Sequence, residues 1–548
     1  MFRQFAARLR VHARPRRSSF GTTSVTYNRP PPNLRSSFEP KPPLDVPAPS
    51  WNPWSDNFKG SFKTKILVQT LFYAVLITQA ANWVDSTLFA STENDAPKYA
   101  SPSELRAAIE KLQQTFPSQE VSTQTPTLCA QSARRRILTI PPRPIPSEFK
   151  VPITPYAGAT SLEGHFSGYP SGSICLDMSR MDQILQINVE DSDLICQPGV
   201  RWDDLNQTLK DKGIPLFFPI DPGPGATIGG IVATGCSGSQ STAKGEWILN
   251  LTVVLPNGEV IKTRRRARKS AAGYDMTKLF IGSEGTLGIV TEATLRLAPV
   301  LPIKVAMAQF PDVGHAVSAV QEVLNTPYGP HVQCIELLDS NMMDALNSGG
   351  LIDKPYATKD TLFFKIQGDD PTIRLASKTI QAIVKKHGSS KFEFAATDEE
   401  AESIWQGRKY ALTSTLSAYP DMKLWTTDVC VPVSKLPQLV YETKKDLAAA
   451  GLTHTIVGHV GDGNFHALLL FRDDKELELV SEAVHRLIHR ALSMDGTCTG
   501  EHGVGVGKKD YLVEELGQGT VDLMWRVKQA VDPQNLFNPG KLYPDKKN

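Results

Sequence analysis

Two stretches of small residues constrain this chain more than any other feature: Pro155 to His165, PYAGATSLEGH, and Pro222 to Gly238, PGPGATIGGIVATGCSG. Glycine reaches backbone angles that a Cβ forbids, so such loops let consecutive N–H groups close on an anion. A pyrophosphate can be held this way without basic side chains. Ordinary tight turns are the competing reading. Neither loop has G-x-G-x-x-G spacing between a strand and a helix, which leaves a Rossmann dinucleotide site unsupported. Gly503 to Lys509, GVGVGKK, imitates a phosphate-binding P-loop, but His502 stands where its first glycine belongs and Lys509 where Ser or Thr belongs.

The surroundings of these loops read as α+β. From Val151 to Pro299, short β-type runs (Leu194 to Gln197, Leu251 to Val254, Ile289 to Leu295) alternate with glycine-rich loops and helical stretches such as Trp202 to Lys212. After Pro299 the texture changes. Val305 to Phe310, Leu362 to Gln367, Leu424 to Val431, His454 to His459 and Ala467 to Phe471 read as strands between amphipathic helices, Leu479 to Leu492 among them. We expect a second α+β domain over residues 300–520, an antiparallel sheet covered by helices, then a C-terminal tail, 521–548. The first domain should begin at Ser101-Pro102-Ser103-Glu104, a capping box with proline at the first helical position. A length of 548 residues suits two or three domains.

The N-terminus has a different character. Six arginines between Arg3 and Arg17 precede the first acidic residue, Glu39, with Phe2, Phe5 and Leu9 interleaved. This is the composition of a mitochondrial transit region over 1–40, or else of a basic tail. A proline-rich linker follows, and 41–100 also contains the uncharged run Ile66 to Val84, long enough for a membrane span or sorting segment. A buried helix is the other reading of that run. Elsewhere, 59 basic against 57 acidic residues leave no global pull toward nucleic acid. The run Thr263 to Ser270, TRRRARKS, lacks the interleaved aromatics of a nucleic-acid site and reads as a solvated loop. Seven cysteines without a C-x-x-C pair fit neither a disulfide framework nor a thiolate metal site.

The chemistry-bearing stretch is His459 to His466, HVGDGNFH. If Asp462-Gly463 is a two-residue hairpin turn, His459 faces His466, and cross-strand partners lie about 5 Å apart on one side. Two imidazoles so placed could ligate one divalent ion or could satisfy hydrogen bonds in a β-core. Zinc suits mixed imidazole and carboxylate ligands; manganese, iron and cobalt are not excluded. Arg408, in Trp405 to Lys409, has the planar fork that grips a carboxylate, or is a solvated helix charge.

These stretches do not stand alone. The two glycine loops, Gly273 to Leu297 (GYDMTKLFIGSEGTLGIVTEATLRL), HVGDGNFH, Thr499 to Gly505 (TGEHGVG) and Asn538-Pro539-Gly540-Lys541 occur in the order found in FAD-linked D-2-hydroxyacid dehydrogenases of the vanillyl-alcohol oxidase flavoprotein superfamily. The resemblance runs from about Val151 to Leu542. It implies a two-part FAD-binding domain over 101–299, a substrate domain and a tail returning to the flavin. FAD would be lined by Pro155, Tyr156, Ala157, Gly158, Ala159, Thr160, Ser161, Gly164 and His165. The second loop would add Ala226, Thr227, Ile228, Gly229, Gly230, Ser237 and Gly238, with Glu284, Gly288 and Ile289 near the adenine side and Asn538 from the tail. By the same resemblance Glu501 joins His459 and His466 as metal ligand, His502 takes the substrate proton and Arg408 holds the substrate carboxylate.

The family implication is FAD-dependent oxidation of a small D-2-hydroxy acid, D-lactate to pyruvate, with electrons passed to cytochrome c and a place at the mitochondrial inner membrane or intermembrane space. D-2-hydroxyglutarate or another D-2-hydroxy acid is the enzymatic alternative. The chain departs from the family pattern at Ala130 to Lys150 and at Ser239 to Thr242, where the flavin domain reads as shortened. A non-catalytic product with an impaired flavin domain is the alternative from a different class.

Overall fold

The computed structural model describes residues 99–115, 148–170, 172–238, 245–349 and 355–544. The basic N-terminal stretch, the linker, the run 66–84, residues 130–147 and residues 239–242 lie outside them. Among the described residues no helix is long and apolar enough to cross a membrane.

Helix α1, Pro102–Thr115, starts with the expected capping box: the Ser101 N–H donates to Glu104 Oε2 at 2.7 Å and the Glu104 N–H to Ser101 Oγ at 3.4 Å. Two parallel strands follow, β1 (Ile153–Tyr156) and β2 (Ile174–Asp177). A five-stranded antiparallel sheet is then built from β3 (Ile184–Asn188), β4 (Asp193–Cys196), β5 (Ile248–Val254), β6 (Val260–Lys262) and β7 (Ile289–Arg296), in the order β3-β4-β7-β5-β6. Helices α2 (Trp202–Asp211) and α3 (Ile228–Thr234) pack on it through Leu205, Leu209, Ile228, Ile231 and Val232. The second glycine stretch therefore contains a helix whose apolar face is buried against this sheet.

The second half is one large antiparallel sheet: β8 (Ile303–Phe310), β9 (Val332–Leu338), β10 (Asp360–Gln367), β11 (Lys391–Phe394), β12 (Lys423–Thr426), β13 (Val429–Cys430), β14 (His454–Gly458) and β15 (Asn464–Phe471), in the order β11-β8-β10-β9-β14-β15-β12, with β13 also paired to β15. One face packs on α4 (Val313–Leu324), α6 (Asp370–Lys386), α8 (Leu436–Ala449) and α9 (Asp474–Ser493). The other face meets α5 (Ser340–Ser348) and α7 (Asp398–Lys409). Aspartates 312, 339, 369 and 473 accept N–H bonds from the first turns of α4, α5, α6 and α9, which satisfies donors that a helix start otherwise leaves unpaired. Strand alternation sorts the side chains. Ile335, Leu337, Phe465, Ala467 and Leu469 face the four-helix layer, while Cys334, Leu338, Val457 and Leu468 belong to the opposite face.

Two expected features come out differently. The strand read over Leu424 to Val431 is broken between Thr426 and Val429, where Asp428 turns inward. The strand β9 was not among those read from the pattern, because Glu336 interrupts its apolar run. The tail after α10 (Gln518–Val531) returns to the first half, where Phe537 bridges Ile153 and the Asn538 N–H donates to the Ile153 carbonyl at 2.8 Å.

Candidate active site

A cavity of about 400 Å³, within the usual size range of small-molecule sites, opens between the glycine loops of the first half and the large sheet of the second. Of the residues expected at the flavin and the reacting centre, all but three line it. Ile228 is instead fully buried under the first sheet. Gly164, at φ +75°, packs toward Val506. Ser237 sends its hydroxyl to Glu501 Oε2 at 3.5 Å.

The histidine pair meets by a route that the sequence did not suggest. Val457, not His459, is paired with His466. The chain makes a 3-10 turn over Val460–Asp462, and Gly463 sits in the left-handed region at φ 83°. The longer turn shifts the register, and the rings end with centroids 5.6 Å apart. Their Nε2 atoms converge on one oxygen, Glu501 Oε1, at 3.0 Å from His459 and 3.5 Å from His466. Each Nδ1 is used elsewhere: His459 donates to Glu336 Oε1 at 2.8 Å, and His466 to the Thr427 carbonyl at 3.0 Å. Those bonds select the tautomer that leaves Nε2 for a ligand. The other oxygen of Glu501 accepts the Gly238 N–H at 2.7 Å, which ties the second glycine loop to the same carboxylate.

Electrostatics follow from burial and pairing. Burial opposes the charge of Glu501, yet His459 and His466 outweigh it and hold the carboxyl well below the usual range. Burial likewise opposes protonation of His459, but Glu336 and Glu501 hold its pKa well above the ordinary value. Two carboxylates flank this ring and favour its charged form, and a divalent ion at Nε2 would take the place of one proton. The donor set therefore fits a divalent ion: two imidazole nitrogens and a carboxylate oxygen within 4.8 Å of one another. Asp428, His466 and His502 form a second such group. The Asp428 carboxylate is already occupied by Asn464 Nδ2 and Thr499 Oγ1 and by the N–H groups of Glu501 and His502, all at 2.8 to 2.9 Å. It is the brace of the Glu501-His502 turn rather than a free ligand.

His502 stacks on His466, centroids 4.8 Å apart and planes 10° from parallel. Burial pushes its pKa down to about 4, away from the 6.5 of a free imidazole, so the ring is neutral at ordinary pH. Arg408 ends α7 with its Nε donating to Glu336 Oε2 at 2.7 Å and one terminal nitrogen 3.5 Å from His459 Nδ1, so it is no solvated helix charge. Glu284 spends both carboxylate oxygens on the N–H groups of Val504 (2.6 Å) and Gly505 (2.8 Å), which makes it a strut under the TGEHG loop. Asn538 donates to the carbonyls of His165 and Glu284, while its Oδ1 is buried with no partner among the described residues. Glu336 and Asp428 were missed from sequence; neither lies in a motif, and only their burial beside charged partners marks them.

Comparison with known proteins accords with this geometry. Residues 145–264 match the family described as "FAD binding domain", and residues 302–542 match "FAD linked oxidases, C-terminal domain". The chain is 45% identical to the mitochondrial D-lactate dehydrogenase [cytochrome] 1 of Saccharomyces cerevisiae, over 72% of this chain and 68% of that protein. It is 46% identical to the D-lactate dehydrogenase [cytochrome], mitochondrial, of Arabidopsis thaliana, over 73% and 70%. The chain belongs to the FAD-linked oxidase family. Among solved structures, a 4-ethylphenol oxidase from Gulosibacter chungangensis shares the fold, with TM-score 0.68 and 16% identity over 82% of this chain and 99% of that one. As an FAD-linked oxidase, the chain should offer its flavin main-chain donors and close packing. Ala157 to Ser161 and Pro222 to Gly230 supply small residues to the cavity lining. A Cβ on Gly158 would meet the Gly225 carbonyl at 2.7 Å, so the two loops touch directly. These loops fit the anionic part of such a cofactor, and Asn538 Oδ1, an acceptor with no partner among the described residues, fits one of its hydrogen-bond donors.

Proposed function

We propose that this FAD-linked oxidase oxidises D-lactate to pyruvate in mitochondria, and that cytochrome c takes the electrons. The observation that carries the reading is the convergence of His459, His466, Glu501, Arg408 and His502 on one cavity that the glycine loops also line. FAD would supply the hydride acceptor, and a divalent ion on His459, His466 and Glu501, zinc being the first choice, would polarise the substrate hydroxyl. Arg408 presents a guanidinium for the substrate carboxylate. His502, kept neutral by burial, accepts the hydroxyl proton. Leu412, Val457 and Leu468 add apolar wall, which suits a methyl side chain better than a second carboxylate. The arginine-rich N-terminus supports import, and the mitochondrial names of the relatives agree with it. Residence at the inner membrane or in the intermembrane space belongs to the same proposal.

The test is an anaerobic absorbance titration of the purified chain. Bleaching of a bound flavin by D-lactate, and not by L-lactate, is expected. Bleaching by D-2-hydroxyglutarate alone would transfer the assignment to that substrate, and a protein that cannot be reconstituted with FAD would refute enzymatic function.

A further inference from the structure

One carboxylate outside the cavity joins the two halves of the site. Glu336 lies on β9 with no solvent exposure and does not line the cavity. Its Oε1 accepts His459 Nδ1–H at 2.8 Å and its Oε2 accepts Arg408 Nε–H at 2.7 Å. Burial works against its charge, but Arg408 and His459 together outweigh that and hold the carboxyl below its usual range. A buried carboxylate that bridges two functional side chains from a rigid central strand costs desolvation, which a purely apolar packing position would avoid.

We propose that Glu336 is the positioning residue that sets the spacing between the substrate-carboxylate clamp and the metal-binding imidazole. The proposal rests on the metal and Arg408 roles in the function proposed above. A 2-hydroxy acid carries its carboxylate and hydroxyl on adjacent carbons, so the guanidinium and the ion that receive them must be held at one separation. Through Oε1, Glu336 keeps the His459 proton on Nδ1 and aims Nε2 at the ion. Through Oε2 it engages the Nε–H of Arg408, whose side chain lines the cavity, and so fixes where the guanidinium meets the substrate. One strand thereby places both groups, and the site prefers 2-hydroxy over 3-hydroxy acids.

Glu336→Gln is nearly isosteric but can accept from only one of the two donors, because its amide NH₂ opposes the other. The FAD-loaded, full-length parent and variant are stripped of metal and titrated with Co²⁺ against a competing chelator, with visible spectra recorded; KM is then measured for D-lactate and for a 3-hydroxy acid. The expected result is a loss of Co²⁺ affinity of about 10- to 100-fold, altered cobalt bands, and a KM for D-lactate raised about tenfold, with flavin content at the parental value and a melting transition that is lower but still cooperative. Preference for the 2-hydroxy acid should shrink. Arg408→Met should raise KM while leaving Co²⁺ affinity and bands near parental values. If E336Q does not fold, Glu336→Asp, charged but too short to span both partners, should show the same two losses. Parental cobalt affinity, bands and KM in a folded Glu336 variant would overturn the positioning role alone. A parent that binds no Co²⁺ overturns the metal reading on which it rests.

Discussion

Asp532→Asn and Lys528→Met should each destabilise the protein by about 3–5 kcal/mol, because each strands one member of a buried ion pair. Lys528 and Asp532 are each about 1% exposed, at the end of α10 and just beyond it. Lys528 Nζ donates to Asp532 Oδ2 and to the carbonyls of Thr286 (2.7 Å) and Phe537 (2.9 Å). Asp532 also accepts the N–H groups of Leu536 (3.0 Å) and Phe537 (2.8 Å). An asparagine leaves the ammonium without its counter-charge and turns an NH₂ toward one of those N–H groups. An uncompensated buried charge costs about 3–5 kcal/mol. Methionine strands the Asp532 carboxylate in the same way, with the N–H groups of Leu536 and Phe537 but no counter-charge among the described residues, and it leaves two carbonyls short of a donor. The double variant D532N/K528M removes both charges and should cost less than the sum of the single variants by about 2 kcal/mol, read from urea midpoints of the FAD-loaded chain, followed by circular dichroism and flavin fluorescence. Since this knot holds residues 536–538 against β1, flavin release should precede global unfolding in D532N. Strictly additive costs would refute the reasoning.

Further outcomes are expected elsewhere. Gly158→Ala places a Cβ 2.7 Å from the Gly225 carbonyl, and the flavin-to-protein absorbance ratio should fall toward zero while circular dichroism stays native. Lys541 is buried against the Ser167 carbonyl, and burial pushes its pKa down to about 8. Between pH 8 and its unfolded value of about 10.4, the unfolded chain keeps a proton that the native one has lost, so this lysine makes stability rise with pH, by about 3 kcal/mol in all. Lys541→Met should therefore stabilise at pH 7 relative to the parent and lose that advantage by pH 10, measured as the difference in denaturation midpoints. Chelation should lower kcat while the flavin spectrum persists, since the imidazole-carboxylate group meets the glycine loops at residues 236–238 and leaves 155–161 and 222–230 to the flavin; loss of flavin in step with activity would contradict that division.

The legible parts of this protein were those set by neighbours in the chain. The capping box at Ser101 to Glu104 and the strands at 289–296 and 303–310 need only a few consecutive residues to choose a conformation. The glycine loops were visible for the same reason: their backbone freedom is intrinsic to the residues that compose them. The histidine pair was legible as a pair but not as a geometry. A two-residue turn and the observed 3-10 turn differ in register, and that choice is made by the packing around Gly463, where a Cβ would meet the Val431 carbonyl at 2.0 Å.

What the sequence by itself determined is the set of local conformations and the inventory of groups able to hold a dinucleotide, an ion and a carboxylate. Only the tertiary structure decided which of those groups meet. Glu336, Asp428 and Glu501 come from three distant segments, and each takes its role from partners far along the chain: Arg408 and His459, then the turn at 501–502, then His459, His466 and Gly238. Local pattern cannot record such pairings, because the energy of a buried carboxylate is set by the charges and donors that folding brings to it, not by the residues beside it in sequence.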